Sequence, residues 1–446
     1  MHHCLKVFLL LTLVSKSTSF FLESSGKTAQ KTRCVSIGSI DAPASRLTRL
    51  GKTRHGILAS PQSEIVKERI IPHSSPLPYS IEELANISGG SGRARLIWEY
   101  YQRGVDPLNE TERQAFSADI DKQGRKLGRH TLSRLCTFFG GPVEETIATA
   151  VHESVAADGT TKLLLQLVDG LQVETVIIPW DERQRSTLCV SSQVGCRQAC
   201  TFCLTGRMGI LRSLSADEIL VQVLLAKRAC RENNIYPIDN IVFMGMGEPA
   251  DNTDAVVRAA NVLTHQQQFQ LTPRRITIST VAPSPDAFLK LGKAPVALAW
   301  SVHASREAVR RELVPTTKYT MEELREGYIK ALLDRSRSMR TTMLEVTLLD
   351  KINDSLEDAE HLADFCQPLL KSVPGIKLVV NLIPWNDISA SFGPASVYRK
   401  PTTERIGEFQ KALIGRGILC YVRTTRGDDE GAACGQLATT NKVKHK

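Results

Sequence analysis

The chain has 446 residues, 42% of them hydrophobic and 23% charged, which excludes a disordered or low-complexity protein and leaves room for one large domain beside a smaller one. Its formal charge is +9, but residues 1–60 hold nine Lys/Arg and two Asp/Glu, so +7 of that excess lies in the first 60 positions and +2 in the remaining 386. Net charge alone therefore does not mark the body of the chain as a polyanion-binding protein.

The start of the chain reads as a targeting leader. His2, His3 and Lys6 precede the apolar run VFLLLTLV at 7–14, which is too short to span a bilayer. After Phe20 and Phe21 the composition turns Ser-, Thr- and Arg-rich and nearly acid-free. This order resembles the two-part leaders of plastids bounded by extra membranes, so residues 1–60 predict delivery to the plastid stroma and a mature form without membrane attachment. Secretion, another organelle and the cytoplasm are the alternatives.

Residues 61–80 (SPQSEIVKERIIPHSSPLPYS from Ser60) read as a Pro/Ser-rich linker. Residues 81–140 read as helical, with Leu96, Ile97, Tyr100 and Tyr101 recurring on one face, a stripe more typical of core than of a nucleic-acid contact. Residues 141–184 read as a β-hairpin region. Its two apolar runs flank Asp169-Gly170, the pair favoured by a type I′ turn with positive φ at both positions. From 185 to 440 apolar runs suited to buried parallel strands alternate with amphipathic helices: 240–247, 274–281, 296–304, 342–349, 377–385 and 418–425. Two of the helices open on capping boxes, Ser215 with Glu218 and Thr320 with Glu323. Six or seven βα units predict an α/β fold, a partial (β/α) TIM-like barrel, with its chemistry at the C-terminal strand ends.

Four of the eleven cysteines fall between 189 and 203 in CVSSQVGCRQACTFC. Cys196, Cys200 and Cys203 form CxxxCxxC in a loop after the first barrel strand. Three thiolates from one loop suit iron with one coordination position left open, whereas structural zinc takes four protein ligands, and no His or fourth Cys stands nearby at finger spacing. Zinc or simple core packing remains the alternative at this point. Cys136, Cys230, Cys366 and Cys420 read as buried small apolar residues.

The triad spacing resembles that of the radical S-adenosylmethionine superfamily. Together with it, TLCVSSQVGC, FCLTGRMG, MGMGEP, NLIPWN and RGDDEGAACGQL resemble the RlmN-type adenine-C2 RNA methyltransferases from about residue 80 to 440. The resemblance implies a radical SAM barrel preceded by a small helical RNA-binding domain at 81–140. It implies a 4Fe-4S cluster on Cys196, Cys200 and Cys203, and two molecules of S-adenosylmethionine per turnover. Carbon 2 of adenine, between two ring nitrogens, is too electron-poor to attack a sulfonium methyl, which is why such a family uses radical chemistry.

By the same resemblance Cys434 is the methyl carrier, Cys189 the thiol that resolves the covalent adduct by forming a disulfide, and Glu174, which from the residues alone reads as one solvated charge on a hairpin, the proton acceptor. Gly247, Glu248, Ser279, Ser301, Val302, His303 and Asn386 are the implied cofactor contacts. The implied partners are ribosomal RNA, transfer RNA as a further substrate, and an electron donor such as ferredoxin or flavodoxin; the chain is expected to be a monomer. Arg274/Arg275, Arg310/Arg311, Arg335/Arg337/Arg340 and Arg423/Arg426 are candidate phosphate contacts. The competing readings are methylation at carbon 8 and a noncatalytic zinc-bearing RNA-binding protein. Two departures stand out: STVAPS at 279–284 replaces Ser-Thr-Ser-Gly, and SASFGPASVYRKP at 389–401 reads as an inserted loop.

Overall fold

A computed structural model of the chain describes residues 75–120, 126–316, 318–388 and 394–439, without the side chains of 116–120. The leader, its plastid targeting and most of the linker lie outside the described residues. The last linker residues, Ser75 to Pro78, are buried, and the Ser75 hydroxyl donates to Asp217 over 2.6 Å.

Helices α1 (Ile81–Ser88), α2 (Ser91–Gln102), α3 (Glu110–Ile120) and α4 (Arg129–Phe139) fill the segment predicted helical. Ser80 and Glu83 cap α1 reciprocally, and Gly89 at φ 86° ends it. The stripe on α2 is core, as its spacing suggests: Leu96, Ile97, Tyr100 and Tyr101 are all buried, each such side chain worth about 1.5–3 kcal/mol of apolar burial. They join the same hydrophobic cluster as the sheet.

A short α5 (Val143–Thr146) leads into β1 (Ala148–Val155), β2 (Thr161–Leu167) and β3 (Gln172–Trp180), paired antiparallel in that order. β1 carries no clean alternation, since most of it is exposed at the sheet edge. The β2–β3 turn differs from the type I′ expectation. Only Gly170 takes positive φ (84°); its N–H reaches Leu167 O at 2.8 Å, while the Leu167 N–H reaches Leu171 O at 2.7 Å. One left-handed position suffices, because an extra loop residue places the glycine in a bulge.

β4 (Arg185–Cys189) begins the parallel part. A two-stranded excursion, β5 (Gln193–Cys196) and β6 (Gly209–Ser213), encloses α6 (Leu204–Arg207) before α7 (Ala216–Glu232) returns to the sheet. There follow β7 (Ile238–Phe243), α8 (Thr253–Thr264), β8 (Ile276–Thr280), α9 (Pro285–Leu291), β9 (Ala297–Ser301), α10 (Glu307–Leu313), α11 (Met321–Leu333), β10 (Thr341–Leu348), α12 (Leu356–Ser372), β11 (Lys377–Pro384), α13 (Thr403–Gly415) and β12 (Leu419–Val422). The sheet order is β1-β2-β3-β4-β7-β8-β9-β10-β11-β12. Within this sheet every pairing from β4 onward is parallel, and the strands follow one another in chain order. This is an open, partial barrel, and both predicted capping boxes are present. Among the described residues no helix is long and apolar enough to cross a membrane.

Candidate active site at the C-terminal strand ends

Parallel strands all point their C-terminal ends to one side, where loops from different strands can meet. One cavity lies there, lined by Cys196, Cys200, Cys203, Gly247, Glu248, Ser279, Ser301, His303, Asn386 and Cys434. Ten of the thirteen residues singled out from sequence are thereby brought together.

The cysteine loop leaves β5 at Cys196 and is built by close backbone approach. A Cβ on Gly206 would stand 2.9 Å from the Cys200 N, and Ala199 holds φ 51°. Arg197 forks onto Asp251 at 2.8 and 2.7 Å, and Gln198 reaches the same carboxylate at 2.6 Å. On the other side Trp385 Nε1 donates to Phe202 O at 3.3 Å, and the Thr201 hydroxyl meets that of Tyr398 at 2.7 Å. The described half of the inserted loop thus buttresses the cysteine loop. Burial pushes the thiols of Cys196 and Cys200 well up, and neighbouring thiols and Glu248 push the same way. All are free thiols. Among the described residues no three His, Cys, Asp or Glu side chains stand in the arrangement that would hold a single metal ion.

Glu248 follows Gly247, whose φ of 96° and 2.6 Å approach to Gln193 leave no room for a Cβ. Its carboxylate accepts from Thr280 Oγ1 (2.5 Å), Ala250 N (2.9 Å) and Val281 N (3.0 Å). Burial nevertheless lifts it to about 7, against those bonds. Ser279 and Ser301 on adjacent strands share a hydroxyl contact of 3.0 Å. His303 sits at φ 57°, accepts the Thr347 N–H through Nδ1 at 3.3 Å, and packs edge-on to Phe202 at 4.6 Å. Burial, then the nearby Arg310, holds its imidazole well below the usual range, hence neutral. Ala282 occupies the position where the resembling family has glycine, and it adopts the left-handed φ of 58°; the departure keeps the backbone shape at a cost of about 1 kcal/mol.

The Cys434 segment lies across this cavity. Leu204 N donates to Gly435 O at 2.8 Å and the Thr205 hydroxyl to Leu437 O at 2.5 Å, stapling it to the cysteine loop. Asn386 Nδ2 donates to Cys434 O at 2.9 Å while its Oδ1 accepts from Thr425 at 2.9 Å. Cys434 is open to the cavity yet surrounded by protein, and the loss of bulk water raises its thiol to about 11, with Arg423 opposing. Cys189, at the end of β4, is pushed up to about 12 by burial and by Cys434. The Arg423 guanidinium faces both thiols and lies 3.7 Å from Glu345.

Three expected residues do not line the cavity. Val302 is buried behind its wall, with its carbonyl taken by Arg310 Nη1 at 2.6 Å. Cys189, half-buried at the end of β4, is not among the residues that line the cavity. Glu174 is not a solvated hairpin charge: it is buried, 3.2 Å from Lys162 Nζ, and accepts the Ala438 N–H at 2.8 Å. Burial raises its carboxyl despite both partners, and as placed it anchors the Cys434 segment. Several phosphate candidates are also spent internally. Arg310 is buried and donates to the carbonyls of Ser301, Val302 and Val281. Arg335 and Arg340 cap carbonyls, Arg311 pairs with Glu307, and Arg426 pairs with Asp158. Sequence reasoning missed Lys162, Asp251 and Glu345; the last, a lone acid in the apolar run TMLEVTLL, was the only one with a local signal.

The profile of the Radical SAM superfamily matches residues 190–366. The dual-specificity RNA methyltransferase RlmN of Syntrophobacter fumaroxidans is 38% identical over 364 residues, spanning 81% of this chain and 96% of that protein. The protein of the same name from Marinomonas is 39% identical over 367 residues, 80% of this chain and 90% of that one. The crystal structure of a radical SAM methyltransferase from Sphaerobacter thermophilus superposes with a TM-score of 0.67 at 35% identity, covering 81% of this chain and 98% of that one. At that identity over nearly the whole length of those relatives, the chain belongs to the RlmN family of radical SAM RNA methyltransferases.

Proposed function

We propose that this chain methylates carbon 2 of an adenine in 23S-type ribosomal RNA, with transfer RNA as a further substrate, through an S-methyl group carried on Cys434. The observation that carries the reading is the stapling of the Cys434 segment to the CxxxCxxC loop, with Cys189 close enough for Cys434 to raise its thiol.

Family membership implies a 4Fe-4S cluster and S-adenosylmethionine, and the donor set fits them. Cys196 and Cys200 are buried thiols facing a cavity with raised proton affinity. Arg310, the cation that acts on Cys200, has its guanidinium engaged by three backbone carbonyls. Bound iron would supply the missing positive charge and displace the protons. Cys196, Cys200 and Cys203 would hold the cluster, whose open corner with bound cofactor supplies a carbon radical on one-electron reduction. Glu248, buried and raised to about 7, is matched to the cofactor's ammonium. Neutral His303 and the Ser279/Ser301 hydroxyls are matched to its sugar and base. The Cys434 thiolate would take one methyl by displacement at the methyl carbon, with S-adenosylhomocysteine leaving. Once the carbon–carbon bond to the base is formed and the adduct has given up one electron and its C2 proton, the Cys189 thiolate would attack the Cys434 sulfur, break its S–C bond and release the methylated base, leaving a Cys189–Cys434 disulfide. Two cofactor molecules are consumed. The leader's composition supports a plastid stromal setting, with a ferredoxin- or flavodoxin-class electron donor.

The test is anaerobic reconstitution of the full chain with ribosomal RNA fragments, followed by mass spectrometry of nucleosides. The reading requires 2-methyladenosine from the unaltered protein and none from Cys434→Ala; 8-methyladenosine, or methylation surviving that substitution, overturns it.

A further inference from the structure

The β-hairpins preceding the barrel touch the Cys434 segment at both ends. Lys162, on β2, donates through Nζ to Glu430 O at 2.8 Å and Gly431 O at 3.2 Å, just before the cysteine. The same ammonium lies 3.2 Å from Glu174 Oε1 on β3. The other Glu174 oxygen accepts the Ala438 N–H at 2.8 Å, just after the cysteine. The hairpin turn at Asp158 adds an upstream hold: its carboxylate accepts from Gly427 N at 3.0 Å and lies 2.9 Å from Arg426 Nε. One ion pair therefore closes a ring around residues 430–438.

We propose that Lys162 is a positioning residue for Cys434: with Glu174 it forms a clasp that fixes where the methyl-carrying thiol stands between the cysteine loop and Cys189. The proposal rests on the reading of Cys434 as the methyl carrier. Its physical basis is that both groups are largely shielded, Lys162 at 17% and Glu174 at 7% side-chain exposure, so the pair is far less screened than a surface pair. Removing the ammonium leaves two carbonyls and a buried carboxylate short of a donor at once. The contacts span 268 and 269 positions of sequence, so the clasp forms only when the hairpins and the C-terminal segment are both in place. Between the clasped ends, the Gln436 side chain accepts from Ala433 N at 3.1 Å and donates to Asp428 at 2.6 Å, which keeps the turn compact.

The experiment compares the unaltered full chain with Lys162→Met and Lys162→Arg, each purified anaerobically and matched for iron content and thermal midpoint. Three readouts are taken: the rate of Cys434 alkylation by iodoacetamide, mapped by peptide mass spectrometry; the rate of Cys189–Cys434 disulfide formation under mild oxidant; and kcat and KM for RNA methylation. The expected result for Lys162→Met is a change of threefold or more in Cys434 alkylation, disulfide formation slowed about tenfold, and kcat lowered about tenfold with KM for RNA unchanged. Lys162→Arg, which keeps the charge, restores at least half of each. If Lys162→Met does not fold, Lys162→Gln is read in the same way. Unchanged Cys434 reactivity and cross-linking in a folded variant overturns the proposal, as does a rise in KM alone, which would make Lys162 an RNA contact. Because the thiol readouts need no turnover, their failure is distinguishable from failure of the methyl-carrier reading, which shows instead as methylation surviving Cys434→Ala.

Discussion

The helical layer and the barrel mouth both bury ionisable groups, but the helical layer answers its own charges. Asp106, near the end of α2, accepts the N–H groups of Val143 at 2.7 Å and Leu108 at 3.0 Å. Arg228 on α7 is 2.6 Å from Glu112 and pairs with Glu144. Burial still lifts Asp106 to about 6 and Glu112 to about 7, but each has partners inside the protein. At the mouth, Cys196 and Cys200 are lifted by burial, by neighbouring thiols (Cys200 and Cys203 on the first, Cys203 on the second) and by Glu248. Arg310, which acts on Cys200, spends its Nη1 and Nη2 groups on three carbonyls. Acids with internal partners serve the fold; thiols left short of positive charge mark a place prepared for something that brings it.

That contrast can be broken in several ways. The largest effect is expected from Cys434→Ala, which should lower RNA methylation by on the order of 10³-fold or more while leaving iron content unchanged. Cys200→Ala should remove both activity and iron, read by metal analysis. Arg310→Met should lower stability by about 3–5 kcal/mol in chemical denaturation, since three buried carbonyls on two strand-end loops lose their donor together. Asp106 provides a smaller, pH-dependent effect. Its folded-state affinity for protons is raised above the ordinary carboxylate range, so its contribution to stability grows as pH falls from 8 toward 4 and is lost as pH rises through about 6. Relative to Asp106→Asn, the unaltered protein should gain up to about 3 kcal/mol over that interval. Arg311→Ala removes an exposed pair one helical turn apart and should change stability by no more than about 0.5 kcal/mol.

The parallel strands were legible in sequence because they are short apolar runs, several of them buried on both faces, and the predicted run at 342–349 is β10 almost residue for residue. Capping boxes were legible because their bonds close within four residues. β1 was not, since its edge position leaves most of it exposed and without alternation. Ten of the thirteen site residues reach the cavity because their motifs end strands, and the barrel gathers strand ends. What the sequence concealed depends on long-range pairing. Arg310 read as half of a basic surface pair, yet its guanidinium is fully buried against the carbonyls of Val281, Ser301 and Val302. Glu174 read as one charge on a hairpin, and Lys162 drew no attention, because the backbone groups they hold stand more than 260 positions away.

The most direct test of the central claim is the iron and acid-labile sulfide content of the full chain, purified or reconstituted without oxygen and followed by its electron paramagnetic resonance on addition of S-adenosylmethionine. The account predicts about four iron and four sulfide per chain, with a reduced-cluster signal that shifts when the cofactor is added. A colourless protein with one zinc and no sulfide would contradict it.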